Sequence, residues 1–193
     1  MYGKFNTYEE LENEVKKYEK EKRFNHSLGV VKVSMELAKL NNYDVEKARV
    51  CAILHDCAKN LDDDFVNEFC KEYKLDFTYL KDYHNLLHSH LGYYFAKYHF
   101  GIEDEEILNA IKYHTSGKAE MTLLEKIIFI ADFLDPGRDT SEYQETYNSV
   151  KEATYRNIDE GLVKLIDRQL NYLKVKEKDI YIDTYKAYEF YVK

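Results

Sequence analysis

Four histidines and two aspartates are the residues of this sequence best suited to chemistry. They are His26, His55, His88, His114, Asp56 and Asp132. A single histidine on an apolar helix face is usually a hydrogen-bonded core residue, not a metal ligand. However, imidazoles and carboxylates drawn from separate helices are the groups with which helical folds build divalent-metal sites in their cores. The set as a whole therefore predicts a metal site.

The adjacent pair His55-Asp56 defines the geometry of that site. On a helix, neighbouring side chains diverge by about 100°, so both reach one ion only if it lies over the edge between them. With His26 and Asp132 added, the ion has two nitrogen and two oxygen donors. This mixture suits iron, manganese or another transition metal better than magnesium, which prefers oxygen ligands alone.

Apolar residues spaced three and four apart predict the helices that carry these side chains. The pattern places His26, His55, His88 and His114 on four successive helices, each near a helix end or on an apolar face. The acidic turn before the helix of His114 complements the positive end of the helix dipole. All four imidazoles are thus expected to face a common interior.

A very apolar helix over residues 123 to 134 carries Asp132, with Thr122 and Glu125 in the spacing of a capping box at its start. An isolated aspartate there is costly unless it is paired or binds a metal. The same periodicity predicts further helices over residues 7 to 20, 150 to 173 and 181 to 191.

The composition agrees with an all-α fold in a single domain. The chain has 193 residues, 45% of them hydrophobic, which is enough to form one sizeable core. It has only one proline and seven glycines, so the turn-rich sandwich and barrel folds are disfavoured.

Charge and cysteine content restrict the partners and the compartment. A net charge of −8 predicts that nucleic acid is not a partner. No apolar run approaches the roughly 18 residues of a membrane helix. Three cysteines without Cys-x-x-Cys spacing argue against a disulfide framework and favour a reducing, cytoplasmic location.

The order of these residues and their neighbours resembles the HD-domain superfamily of metal-dependent phosphohydrolases. The strings that carry the resemblance are Arg23-x-x-His26-Ser27, Leu54-His55-Asp56-x-x-Lys59, His88, His114 and Asp132. Within this superfamily, the sequence most resembles the YqeK family of symmetrical dinucleoside-tetraphosphate hydrolases. The strings that carry this closer resemblance are Tyr113-His114-Thr115-Ser116-Gly117, Met121-Thr122-Leu123-Leu124-Glu125-Lys126, Ala131-Asp132 and Asp135-Pro136-Gly137-Arg138. The resemblance covers roughly residues 18 to 175, so residues 1–193 are expected to form one HD domain with helical extensions packed on that core.

The resemblance implies a helical-bundle enzyme that holds iron, with manganese or cobalt as alternatives, and splits diadenosine tetraphosphate into two ADP molecules. The residues that match its metal ligands are His26, His55, Asp56 and Asp132. A bound ion would lower the pKa of its water to about 7, and the resulting hydroxide would be the expected nucleophile towards phosphorus. A second ion and a homodimer are left open.

Three of these residues are assigned to catalysis. Asp56 would bind the ion and orient or deprotonate the attacking water. A protonated His88 or His114 would neutralise the charge that develops on the phosphoryl group, or protonate the leaving oxygen.

The expected substrate-binding residues surround these groups. The resemblance implies this role for Arg23, His88, His114, Thr115 and Arg138. Residue chemistry adds the Lys59 ammonium and the Ser116 hydroxyl, and the ligand Asp132 is also assigned to substrate. The sequence departs from the family at Ser89-His90, where a small residue and a proline are usual, and His90 is expected to be a surface histidine.

Two alternatives remain open from the sequence. An HD-domain enzyme could instead hydrolyse another nucleotide, such as a monophosphate, a deoxynucleoside triphosphate or an alarmone. Alarmone hydrolases usually have an acidic pair after His-Asp, whereas Cys57, Ala58 and Lys59 stand here. The chain could also be a non-catalytic nucleotide-binding module, although four retained metal-matching residues argue against this.

Overall fold

The computed structural model describes residues 2–193, which fold into α-helices and one 3₁₀ turn without a strand. The helices are α1 (Tyr8–Val15), α2 (Glu21–Leu40), α3 (Val45–Leu54), α4 (Asp63–Tyr73), α5 (His84–Tyr98), α6 (Glu105–Tyr113), α7 (Leu123–Phe133), α8 (Gln144–Arg156), α9 (Ile158–Val175) and α10 (Ile182–Tyr191). The all-α prediction is confirmed.

The apolar helix α7 lies at the centre of the bundle and contacts α2, α3, α6 and α9. Its residues Leu124, Ile127, Ile128, Ile130 and Ala131 are completely buried, as expected for a helix that is hydrophobic on all sides. The predicted capping box starts the helix: the Thr122 amide donates to Glu125 Oε2 at 2.7 Å, and the Glu125 amide donates to Thr122 Oγ1 at 3.3 Å. The last turn of α7 is therefore held firmly in the core.

The predicted helix over residues 150 to 173 is wrong, because two helices occupy this region. Asn157 has an extended backbone and ends α8, and its side chain accepts a hydrogen bond from the Asp159 amide at 2.8 Å to begin α9. Asparagine is a preferred N-cap residue, and this cap interrupts an otherwise continuous apolar periodicity.

Two other helix predictions need correction. The four histidines do not lie on successive helices, because α4 stands between α3, which ends just before His55, and α5, which carries His88. The first helix is shorter than residues 7 to 20 and ends at Val15. The amphipathic α4 packs Phe65 and Phe69 against Phe95 of α5 and so covers that side of the bundle.

No helix within residues 2–193 is long and apolar enough to cross a membrane. The three cysteines are all free thiols, with Cys51 and Cys57 buried in the core.

Candidate metal centre

The ends of α2, α3, α5, α6 and α7 converge on one point and bring together the six side chains predicted from the sequence. His26 lies on α2, His55 and Asp56 follow α3, His88 lies on α5, His114 follows α6, and Asp132 lies on the last turn of α7. His55, Asp56, His88 and His114 are buried. A buried cluster of imidazoles and carboxylates from five helices is the arrangement expected of a metal site.

Helix α3 ends before the His-Asp pair, which changes the expected geometry. His55 is the C-cap of α3 and Asp56 follows it in a turn, so the two side chains are not spread around a continuous helix. Their His55 Nε2 and Asp56 Oδ2 atoms lie 3.5 Å apart. The His55 Nδ1 lies 2.7 Å from the Ala52 carbonyl oxygen and donates to it, which leaves Nε2 as the free ligand atom.

The first group of candidate ligands consists of His26, His55 and Asp56, whose ligand atoms all lie within 4.8 Å of one another. His26 Nε2 is also 3.0 Å from Asp132 Oδ1. Among the described residues, the buried His26 Nε2, His55 Nε2 and Asp56 Oδ1 atoms have no hydrogen-bond partner. Because unsatisfied buried polar atoms are costly, these orphaned atoms fit a divalent cation.

A second group of candidate ligands shares Asp56. Its Oδ1 lies 3.2 Å from His88 Nε2 and 3.5 Å from His114 Nε2, and these three residues also satisfy the spacing of a metal site. Lys59 Nζ is 3.0 Å from His88 Nδ1, and Thr115 Oγ1 is 3.0 Å from His114 Nε2. The geometry thus permits one ion on each side of Asp56, while Lys59 already supplies a positive group beside the second position.

The protonation of the two candidate imidazole ligands differs. Burial lowers the pKa of His55 to about 4, so this imidazole is neutral and ready to bind a cation at pH 7. Burial also acts to lower the pKa of His26, but the carboxylates of Asp132 and Asp135 raise it to about 8. A cation at this site would therefore displace a proton from His26.

The two carboxylates are held ionised by their neighbours. Burial alone would raise the pKa of each, yet the imidazoles around Asp56 hold the pKa of its carboxyl well below the usual range. His26 and Arg138 do the same for the pKa of Asp132. Both groups therefore remain anionic, as metal ligation requires.

Two arginines touch the carboxylates from the outside. Arg23 Nη1 donates to Asp56 Oδ2 at 2.7 Å. Arg138 Nε donates to the Asp132 carbonyl at 2.8 Å, and its Nη2 donates to Asp132 Oδ1. About a third of each arginine side chain is exposed, so both guanidinium groups line the approach to the cluster.

Asp135 supports the cluster from behind, a role that the sequence did not predict. Its Oδ2 accepts a hydrogen bond from His26 Nδ1 at 2.7 Å, and its Oδ1 accepts one from the Gly137 amide at 2.9 Å. A carboxylate behind a ligating histidine fixes the tautomer and the ring orientation. A Cβ atom at Gly29 would lie 1.9 Å from Asp135 Oδ1, which explains the glycine within α2.

Two sequence-based placements differ from the structure. The Ser116 hydroxyl is buried and donates to the Gly117 carbonyl at 2.9 Å, so the structure does not bring it to the cluster. The prediction that His90 is a surface residue is wrong. Only 2% of His90 is exposed, and its Nδ1 lies 3.0 Å from the Tyr79 hydroxyl.

A cavity of about 670 Å³ opens beside the cluster and is called the α9 cavity here. It meets the cluster at His114, Thr115, Asp132 and Arg138, and its outer walls come from α7, α9 and α10, including Phe133, Leu165, Tyr172 and Tyr181. The volume is typical of small-molecule sites, which span about 300–1,000 Å³. The sequence did not reveal it, because the aromatic and apolar residues of α9 and α10 look like ordinary packing.

Comparison with known proteins assigns the fold to a family. The family described as "HD domain" matches residues 23–137, which contain all six clustered side chains. This chain belongs to the HD-domain family. A crystal structure from Clostridium acetobutylicum, described as a predicted HD superfamily hydrolase involved in NAD metabolism, superposes on this HD-domain protein with a TM-score of 0.86. The two are 33% identical, over 96% of this chain and 97% of the other.

Relatives of similar length place this chain near one group of enzymes within the HD-domain family. The HD-domain protein is 35% identical to the symmetrical bis(5'-nucleosyl)-tetraphosphatase of Halalkalibacterium halodurans over 90% of this chain and 91% of the relative. It is 33% identical to the Bacillus subtilis protein of the same name, over 92% of this chain and 94% of the relative. The sequence-based resemblance to YqeK-type hydrolases is confirmed.

Glu19, which the sequence reasoning missed, is buried just outside the cluster. Its Oε2 accepts a hydrogen bond from Ser27 Oγ at 2.8 Å, while its Oε1 has no partner among the described residues. Burial raises the pKa of Glu19 from 4.5 to about 7, Asp56 adds to the rise, and Ser27 and Arg23 oppose it. The ionised form therefore costs folding free energy.

We expect Glu19→Gln to stabilise the metal-free protein at pH 8 but not at pH 4. The penalty on ionised Glu19 is absent below the unfolded pKa, grows as the pH rises from 4.5 to 7, and is complete above that range. At about 1.4 kcal/mol per pKa unit, the gain reaches up to about 3 kcal/mol at pH 8. Urea unfolding at both pH values measures it, with the exposed Glu68→Gln as control. An equal effect of Glu19→Gln at both pH values would contradict this.

Proposed function

We propose that this protein is a metal-dependent hydrolase that cleaves diadenosine tetraphosphate and related dinucleoside polyphosphates symmetrically into two nucleoside diphosphates. The observation that carries the proposal is the identity of 33–35% with symmetrical bis(5'-nucleosyl)-tetraphosphatases over at least 90% of the chain. The buried cluster of orphaned imidazole and carboxylate atoms supports the metal dependence. Iron is proposed as the native metal, with manganese and cobalt as substitutes.

The proposed ligands of one ion are His26, His55, Asp56 and Asp132. When bound there, a divalent ion supplies a Lewis acid that polarises a phosphoryl oxygen. Three of these side chains already have the protonation states that cation binding requires. His55 presents a neutral Nε2, Asp56 and Asp132 remain ionised, and Asp135 accepts a hydrogen bond from His26 Nδ1 and so orients the ring. A second ion between His88 and His114 remains a proposal for which the shared Asp56 Oδ1 offers a ligand.

Cationic side chains around the cluster would bind the phosphate chain. Arg23 and Arg138 present guanidinium groups whose paired N–H donors match phosphate oxygens. Lys59 adds an ammonium close to His88, and burial lowers its pKa. These local charges attract a polyphosphate although the whole chain has a net charge of −8.

His88 and His114 would accept or donate protons at the reacting phosphate. Burial lowers the pKa of His88 to about 4, so it is neutral in the free protein at pH 7 and can accept a hydrogen bond or a proton. Before substrate binds, positive charge therefore comes from the lysine and the arginines. Asp56, within 3.5 Å of both imidazoles through Oδ1, is placed to orient the attacking water.

The function is tested by chromatography of diadenosine tetraphosphate incubated with the iron- or manganese-loaded protein. Two ADP molecules are expected for each substrate molecule consumed. Formation of ATP and AMP would show an asymmetrical cut, and no turnover would support a non-catalytic nucleotide-binding module. A panel of monophosphates, deoxynucleoside triphosphates and alarmones distinguishes the other HD-domain activities.

We expect Arg138→Lys to lower kcat/KM for diadenosine tetraphosphate by about 10- to 100-fold, as for other groups that support a metal ligand. A lysine cannot donate at once to the Asp132 carbonyl and to its carboxylate, as Arg138 does. Steady-state kinetics measure the effect. The exposed Arg156→Lys is the matched control, and equal rates in the two variants would contradict the assignment.

Other expectations from the sequence remain proposals. We propose that residues 1–193 form one HD domain, of which Met1 lies outside the described residues. The substrate is proposed to be a small nucleotide without a nucleic-acid partner, and the cytoplasm is the proposed location. Whether two copies pair is a question for size-exclusion chromatography with light scattering.

A further inference from the structure

A second cavity opens beside the cluster and shares one lining residue, Arg138, with the α9 cavity. Its volume is about 820 Å³, and it is called the α2 cavity because six residues at the start of α2 form much of its wall, namely Lys20, Glu21, Lys22, Arg23, Asn25 and His26. The remaining wall comes from Asn60, from the loop of residues 135–139 and from Tyr143. Binding of an ion by His26, His55, Asp56 and Asp132 does not itself require a cavity at this position.

The two cavities meet at the candidate metal centre. Asp132, His114 and Thr115 line the α9 cavity, whereas His26 and Arg23 line the α2 cavity, and Arg138 lines both. The candidate ligands His26 and Asp132, 3.0 Å apart, therefore line different cavities. A linear molecule that contacts both would extend into each cavity.

The α2 cavity has the chemistry to bind a nucleoside diphosphate. Lys20, Lys22 and Arg23 add positive charge at its wall. Within residues 2–193 no side chain caps the N-terminal end of α2, an end that favours anions, and Glu21 lies in its first turn. With Arg138, the cavity has four cationic lining residues against three acidic ones, which are Glu21, Asp135 and Asp139. Of the acidic groups, Asp135 already accepts hydrogen bonds from His26 and Gly137.

Neutral groups in the same cavity suit a nucleoside. Tyr143 contributes an aromatic ring held by Arg168, whose Cζ lies 4.9 Å from the ring centroid. Aromatic faces stack with bases. Asn25 and Asn60 add side-chain amides that can hydrogen-bond to a base or a ribose.

We propose that the α2 cavity binds the second nucleoside-diphosphate half of the substrate, while the α9 cavity binds the first. This inference rests on the proposed function. A cut between the second and third phosphates places equal halves on the two sides of the metal centre, and the two cavities provide one site for each. The α2 cavity is thereby a determinant of specificity for substrates with two nucleosides.

The test fills the α2 cavity and compares two substrates. Asn25 is exposed and lines this cavity, so Asn25→Trp blocks it without disturbing the core. Diadenosine tetraphosphate needs both cavities, whereas adenosine 5'-tetraphosphate has one nucleoside and leaves only phosphates on the α2 side. We expect Asn25→Trp to lower the ratio of the two kcat/KM values, diadenosine over adenosine tetraphosphate, by about 10-fold or more. A factor of 10 is the effect of losing 1.4 kcal/mol of transition-state binding.

Two further variants distinguish blocking of the α2 cavity from loss of the Asn25 amide and from added bulk elsewhere on α2. Asn25→Ala leaves the cavity open and should change the ratio far less than Asn25→Trp does. Lys32→Trp introduces the same bulk seven residues further along α2, on the same side of the helix but at another exposed position, and should leave the ratio at its wild-type value. Thermal melting establishes that each variant is folded.

The outcomes separate this inference from the proposed function. If the wild-type protein produces no ADP from diadenosine tetraphosphate, the proposed function is wrong. If the wild-type protein is active but Asn25→Trp keeps the ratio within twofold of wild type, the α2 cavity does not bind the second nucleoside. A fall of the ratio in Lys32→Trp as well would equally overturn the inference, because the effect would not depend on the cavity.

Discussion

Asp56→Asn is expected to lower kcat/KM for diadenosine tetraphosphate by about 10²- to 10³-fold, the size of effect seen when a central charge-stabilising group is removed. Asp56 is the only residue shared by both candidate ligand groups, and it also pairs with Arg23 at 2.7 Å. Asparagine has nearly the same shape but no negative charge, so it weakens cation binding and leaves the guanidinium without its counter-charge.

The measurement has two parts, metal content and turnover. Atomic emission should find much less iron or manganese in Asp56→Asn than in the wild type, and the rate should stay low when metal is added in excess. Asp64→Asn, which changes an exposed carboxylate at the start of α4, is the control and should keep both values. A folded Asp56→Asn protein that binds metal and turns over at the wild-type rate would contradict the assignment of Asp56.

The candidate metal centre was largely predictable because its groups are chemically distinctive. Histidines and aspartates on apolar helix faces are costly unless they are paired or bound, so residue type and periodicity together predict an interior site for His26, His55 and Asp132. Their convergence depends on the packing of distant helices, which periodicity does not specify. The resemblance to a known family supplied that missing information.

The remaining features were hidden for physical reasons. Asn157 breaks the apolar helix by a local side-chain cap, a signal that a continuous hydrophobic pattern conceals. Asp135 holds His26 across 109 residues of sequence, and no local spacing encodes such a contact. The α9 and α2 cavities are spaces between elements, lined by residues that look like ordinary packing or surface positions in the sequence.

The net charge of the chain likewise does not predict the local charge at the candidate metal centre. The net value of −8 disfavours nucleic acid as a partner, but it does not describe the approach to the cluster. Asp56 is buried behind Arg23, and the half-buried Asp132 is paired with Arg138, so a phosphate would meet the guanidinium groups first. Local arrangement decides the attraction, because exposed charges further away than about 10 Å are largely screened by salt.

Removal of the metal is expected to lower the melting temperature by roughly 8–16 °C. A ligand present at about 1,000 times its Kd stabilises the folded state by about 4 kcal/mol. One kcal/mol shifts the melting temperature of a domain of this size by about 2–4 °C. The physical source is the relief of the orphaned His26 Nε2, His55 Nε2 and Asp56 Oδ1 atoms, which are buried without a hydrogen-bond partner among residues 2–193.

Differential scanning fluorimetry of the chelator-stripped protein, with and without added manganese or iron, measures this shift. The Asp56→Asn protein is the matched control and should show a shift much smaller than the wild type, because its central anionic ligand is gone. The shift should also grow from pH 6 to pH 8.5, because the pKa of His26 is raised to about 8 and cation binding must displace its proton. A shift equal in the wild type and in Asp56→Asn would mean that the ion binds elsewhere on the chain.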